Sequence, residues 1–183
     1  MSPAVPDRPH DPTPDTARAV PPTLTAGVAC TAAFAAGCTL TQAVIVPTWR
    51  RMQPEVFLEE IATAGPATGA VLFPVEVAAV GLLGIATVAA VRRRRPGGLV
   101  LAAATVAMVG TVLLLPAFFA GANAAFLRPD FPADAVPAAL ADWNRWNWIR
   151  TGLGVAATVL GVASAVLLAR RGVRSQIVSR TGG

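Results

Sequence analysis

The chain has 183 residues, 54% of them hydrophobic and only 14% charged, where a soluble domain carries about a quarter charged. That leaves too little polar side chain to wrap a soluble globule, and the abundance of Gly, Ala and Val suits helices packed closely in lipid. The net charge of +5 rests on arginines gathered at the ends of apolar runs, which membrane topology explains better than nucleic acid does, so no nucleic-acid partner is expected.

Residues 1–23 hold seven of the sixteen prolines, with scattered Asp and Arg. This composition cannot form helix or bury a core, and predicts a disordered tail. Four apolar runs follow, at 24–46, 67–91, 98–120 and 151–169; only the second contains a charge, Glu76. About 20 helical residues cross a bilayer core of about 30 Å, so each run can span. A backbone in lipid must satisfy its own hydrogen bonds, which makes the spans helices. The expected fold is all-α, a four-transmembrane-helix bundle over 24–170, followed by a basic tail at 171–183. The turn at 91–98 is short, so the second and third helices are expected to be antiparallel neighbours. Small-xxx-small pairs, Ala33/Gly37 and Ala157/Gly161, permit close helix approach.

Arginine placement predicts the orientation. Ten of the fifteen arginines (two in the first tail, the block 92–95, and four at the end) share one side of a four-span chain, and five occupy the other. This bias places both termini in the cytoplasm of a cell-membrane protein. The block 92–95 reads first as a topology anchor, and second as a site for anionic lipid.

Several chemistries are disfavoured. Cys30 and Cys38 are eight residues apart, roughly 12 Å along one helix, too far for a disulfide within it and without the Cys-x-x-Cys spacing of a thiol oxidoreductase. The one histidine, His10, lies in the first tail, so a haem or histidine-ligated metal inside the membrane has no support, and no cofactor is expected.

The stretch before the fourth run is the informative one. Asp134 and Pro137 suit the start of a helix, which is expected to run unbroken into the fourth span. Trp143, Trp146, Asn147 and Arg150 then fall on one helical face, and Trp148 on another, toward lipid headgroups. An interfacial aromatic belt is the plainer explanation, but a belt needs neither an Asn beside the Trp nor one particular face.

Trp143-Asn-Arg-Trp-Asn-Trp-Ile-Arg-Thr151, with Asn123 after the third span, resembles the signature of the anthrone-oxygenase-like membrane proteins, a four-helix family of largely unassigned function. The first span, Ala36-Gly37 through Gln42 to Pro47, is similar to that family's small-residue helix ending in proline. The resemblance covers roughly residues 25–170. It implies a site at Asn123, Trp146, Asn147 and Arg150, and, from the activity of some members, oxidation of anthrones to anthraquinones without metal or flavin. The chain departs from many relatives in its short loop between Asn123 and Trp143 and in its proline-rich tail.

Glu76 is the second feature. An ionisable group within a span costs about 2.5–3.5 kcal/mol on insertion scales, so it should be paired or wet. Counting from Arg92, Glu76 lies roughly 24 Å deep; from Arg170, Arg150 lies roughly 30 Å deep; and from Leu24, Gln42 lies roughly 27 Å deep, all in the outer third. An arginine side chain can bridge the difference between Glu76 and Arg150. A structural pair, a functional pocket built around the pair, and a Glu76 snorkelling to water all remain open. Pro74 and Pro116 free the carbonyls of Ala70 and Val112 and invite bends or bound water.

Three function classes follow. The first is an oxygenase acting on a hydrophobic aromatic small molecule that enters from lipid, with Glu76, Asn147 and Arg150 as catalytic candidates and Gln42, Asn123, Trp143 and Trp146 as binding candidates. The second is a small transporter subunit, for which inverted repeats are missing. The third is an accessory membrane protein without chemistry. A polar cavity containing Glu76 favours the enzyme; a dry bundle favours the accessory role. Oligomeric state is not legible in the sequence.

Overall fold

A computed structural model describes residues 20–181, apart from the side chains of 66–68 and of 171 onward. The expected disordered tail therefore lies largely outside the described residues; its last two residues, Pro22 and Thr23, open the first helix instead, after an extended Pro21. Pro22 suits that first position, where the missing N–H has no helical partner to lose.

Four long helices make the fold, and no strand occurs among the described residues. The first is Pro22–Trp49, the second Pro54–Arg92, the third Gly98–Phe126. A single turn of 3-10 helix, Ala133–Ala135, leads into the fourth, Val136–Thr181. Pro22–Trp49, Gly69–Arg92, Gly98–Phe126 and Ala133–Arg170 are long and apolar enough to cross a membrane, so the chain is a multi-pass membrane protein. The helices form a ring in chain order: the first packs on the second and fourth, and the third on the same two.

Three helices outrun their apolar runs by more than a turn at one end. The second begins at Pro54, because Pro54 and Glu55 suit a first turn and Phe57, 1% exposed, packs with Phe126, Val136 and Leu140. The third continues to Phe126 for the same cluster. The fourth runs on to Thr181, so the described part of the basic tail continues the span as helix.

One core centres on Leu24, Leu83, Leu101, Met108 and Ala157, all buried. Glycine makes the close approaches: a Cβ on Gly161 would lie 2.9 Å from Val28, and one on Gly37 2.6 Å from Leu72. The turn between the second and third helices is closed by Arg95 N–H donating to Ala90 O at 2.8 Å, with Arg94 at φ 48° and Gly97 at φ 79°. Ser164 Oγ donates to Gly97 O at 3.1 Å and ties the turn to the fourth helix.

Candidate functional site

The site is set by two wide turns. Pro116 has no N–H for the Val112 carbonyl, and Leu115 N–H takes that carbonyl instead. The helix then reaches five residues back, with Ala120 N–H on Leu115 O, a π turn over Leu115–Phe119. In the first helix Val46 N–H bonds Thr41 O across a π turn, Thr41–Ile45, just before Pro47. Such insertions re-aim side chains and recur at functional sites. Around Pro74 the second helix stays regular.

Between these turns lies a cavity of about 530 Å³ at the end of the bundle opposite the arginine turn. Its walls are mostly apolar and aromatic, including Leu72, Phe73, Phe119, Trp49 and Trp143. Asn123, Asn147, Arg150, Thr41 and Cys38 supply the polar wall.

Arg150 is the centre of that wall. Its Nη2 donates to Glu76 Oε2 at 2.5 Å, with side-chain exposures of 13% and 0%. The guanidinium also lies over two rings, 4.9 Å from the Phe34 centroid and 5.4 Å from Phe119. A delocalised, weakly hydrated guanidinium suits a dry site with one anion and two aromatic faces. Gly154, one turn on, makes room for Phe34: a Cβ there would sit 3.2 Å from the ring. Glu76 Oε1, Arg150 Nε and Asn147 Nδ2 are buried and have no hydrogen-bond partner among the described residues. Asn147 is 2% exposed and is one of the residues that line the cavity.

The predicted residues separate into three groups. Trp143, Asn147, Arg150 and Asn123 line the cavity, with Trp143 Nε1 donating to Asn123 Oδ1 at 2.9 Å. Glu76 is brought to Arg150 but does not line the cavity; it sits behind the guanidinium. Gln42 and Trp146 lie outside it as well. Gln42 Nε2 reaches Asn144 O at 3.4 Å beside a different surface groove, and Trp146 stacks on Phe118 with centroids 5.3 Å apart. Trp148 faces outward at 58% exposure.

Sequence reasoning missed Phe34, Phe119 and Trp49. Phe34 is the one aromatic among the small residues of the first span, and Phe118-Phe119 follows Pro116; both were available signals. Trp49 packs edge-on against Trp143 at 5.6 Å and Phe57 at 5.7 Å, capping the cavity.

Chemically the wall offers donors and a cation. No Asp, Glu or His lines the cavity among the described residues, and no group of three or more metal-ligating side chains gathers there. The arrangement suits an acceptor oxygen on an aromatic body, with the oxygen held by Arg150 and Asn147. No protein-family model, curated protein or solved structure matches this chain.

Proposed function

We propose that the chain is a membrane oxygenase resembling the anthrone-oxygenase-like proteins, acting on a hydrophobic aromatic substrate in this cavity without a metal or flavin. The observation that carries the reading is the half-buried Arg150, braced by Glu76 and opening with Asn147 onto an aromatic-walled space. An anthrone that loses a methylene proton places negative charge on its carbonyl oxygen, and a preorganised cation and amide donor stabilise that charge. The carbanion is oxidised by dioxygen. A carbon–oxygen bond forms, the remaining C–H bond and the O–O bond break, one oxygen becomes the new ketone and the other leaves as water with both substrate hydrogens. Glu76 is a positioning residue in this scheme. It holds Arg150, and the first proton passes to water at the aromatic end and returns when the peroxide breaks.

An accessory role without catalysis is the second reading, favoured by the lack of an acid or histidine in the cavity wall among the described residues. Purified protein in liposomes, supplied with anthrone, separates the two: the enzyme consumes dioxygen and forms anthraquinone in equal amounts, and Arg150→Gln lowers turnover by roughly a hundredfold while lowering abundance less. Oxidation no faster than in empty liposomes overturns the oxygenase. An equal fall in turnover and abundance leaves Arg150 a structural anchor.

The arginine bias supports an orientation with both termini and the turn at 92–95 in the cytoplasm of a cell membrane. A reporter fused after Gly183 is then active in the cytoplasm; activity only outside reverses the topology.

A further inference from the structure

We infer that the cavity opens sideways into the bilayer through a window between the second and third helices, and that Gly69 on its edge sets the width of the molecules that pass. The inference rests on the reading of the cavity as a ligand site.

The two helices are pinned to each other at separate levels. Near the arginine turn, the hydroxyls of Thr87 and Thr105 bond at 2.8 Å. At the far end, the rings of Phe57 and Phe126 meet edge to face at 5.2 Å. Between these pins the cavity wall is formed by Gly65, Gly69, Ala70 and Phe73 from the second helix, facing Leu115 and Phe119 from the third. Gly69, Ala70 and Phe73 are exposed members of this wall, as are Asn123 and Leu127 at the far end of the third helix, Phe73 to 43%. A residue that lines a cavity and faces outward stands at its mouth. Counted from Arg92, Phe73 lies roughly 28 Å deep, inside a core of about 30 Å, and Gly69 roughly 35 Å, where that core meets the headgroups, so the mouth sits at the outer edge of the lipid tails.

Gly69 has no packing reason to be glycine. A Cβ there would meet nothing within 4 Å, whereas one on Gly37 would press on Leu72, one on Gly154 on Phe34 and one on Gly161 on Val28. Gly81, Gly84, Gly121 and Gly152 are equally unhindered, but of these five only Gly69 lines the cavity, where the absent side chain leaves the opening wider. Inside, the unpartnered Asn147 Nδ2 and the Arg150 cation mark where a polar atom of the ligand rests. The occupant that fits both ends of this path is a flat aromatic molecule dissolved in the bilayer and carrying one acceptor oxygen. A strongly charged or bulky polar ligand would have to leave water for lipid before it reached the donors.

The test uses the full chain in liposomes and a small probe, a trifluoromethyl phenyl diazirine, which partitions into the bilayer and inserts on illumination into whatever side chains it reaches. Adducts on Cys38, Thr41 and Asn147 are read by mass spectrometry. Gly84→Leu is the control, since Gly84 also faces open space and does not line this cavity. Gly69→Leu is expected to reduce the cavity adducts about tenfold, the effect of a barrier raised by one side chain across a narrow passage, while its melting temperature stays at or above that of the wild type. Gly84→Leu leaves them unchanged. Cavity adducts undiminished by Gly69→Leu, or absent from the wild type, overturn the window. Labelling that depends on Gly69 in a protein that does not oxidise anthrone removes the oxygenase and keeps the window. Anthrone oxidation indifferent to Gly69→Leu does the reverse.

Discussion

The two halves of the bundle solve the same problem in different ways. Toward the arginine turn the helices are regular, the side chains are small or aliphatic, and buried polar groups find partners: Thr31 Oγ1 on Gly27 O, Thr111 Oγ1 on Met108 O and Ser164 Oγ on Gly97 O. Toward the other end two π turns interrupt the helices, aromatic rings replace aliphatic packing, and the unpartnered buried atoms of the described residues gather at Gln42, Glu76, Asn144, Asn147 and Arg150. Lipid cannot satisfy a freed backbone group, so irregular helix survives only where it is buried or lines a cavity. The irregular half is therefore the half built around the cavity, and the regular half holds it in shape.

The sharpest way to break this contrast is to unpair its central charges. Glu76→Gln and Arg150→Gln each leave the partner buried, a loss of about 3–5 kcal/mol when desolvation is complete, and somewhat less here because the Arg150 side chain keeps 13% exposure. The double substitution costs less than the two single losses together, since it removes both stranded charges. Unfolding of the four proteins in detergent measures the coupling. Strict additivity would mean that the pair contributes geometry without energy.

That pair was legible in the sequence, and the reason is one-dimensional. Depth along a helix is fixed by residue count from a membrane anchor, so Glu76 and Arg150 could be placed at similar levels before any coordinates. The same count placed Gln42 nearby in depth, yet Gln42 sits beside Asn144 and away from the cavity. Depth says nothing of rotation about the helix axis, and a π turn at Thr41–Ile45 changes that rotation just where Gln42 lies. The four spans were readable because apolar run length alone decides them. The helix from Pro54 was not, because Glu55, Glu59 and Glu60 break the apolar run while Phe57 still buries one face. Trp146 was expected in the site because it shares a helical face with Asn147; the ring of Phe118 draws it out of the cavity wall, a contact between distant segments that spacing cannot carry.

The second prediction tests the tight half. Leu83, 0% exposed, packs within the aliphatic core, so Leu83→Ala should leave a void and cost about 2–3 kcal/mol. Phe73, at the cavity mouth, is far more exposed, and Phe73→Ala should fall within about 0.5 kcal/mol of the wild type. Detergent unfolding compares them directly. Equal losses would show that the cavity wall is packed as firmly as the core, and the division between the halves would fail.

The third concerns the turn that closes the regular half. Arg94 holds φ 48°, a left-handed conformation that costs a residue with a Cβ about 1–2 kcal/mol, at the position where glycine commonly ends a helix. Arg94→Gly is therefore expected to raise stability by about 1 kcal/mol, with topology preserved by the remaining arginines of the block. A loss of stability would mean that the Arg94 side chain contributes more than its backbone strain removes.

The smallest effect belongs to a second arginine–carboxylate pair, which has nearly the same contact length as the first and the opposite surroundings. Arg128 Nη2 meets Asp130 Oδ2 at 2.6 Å, with the two side chains 64% and 70% exposed. The hydrogen bond from Arg128, then its charge, holds the Asp130 carboxyl below its ordinary 3.8. A carboxyl lowered in the folded state adds stability above its unfolded pKa and loses that stability as pH falls through the folded value. Arg128 stays charged throughout, so the acid limb reports Asp130 alone. Water and salt screen so open a pair. Arg128→Ala should then lower the melting temperature at neutral pH by far less than Glu76→Gln, Arg150→Gln or Leu83→Ala does, and the curves for variant and wild type should merge once Asp130 is protonated. The residual difference should shrink further in high salt. If Arg128→Ala destabilised the protein as much as Arg150→Gln does, burial would not be what separates the two pairs, and the Glu76–Arg150 contact would lose its claim to be the energetic centre of the irregular half.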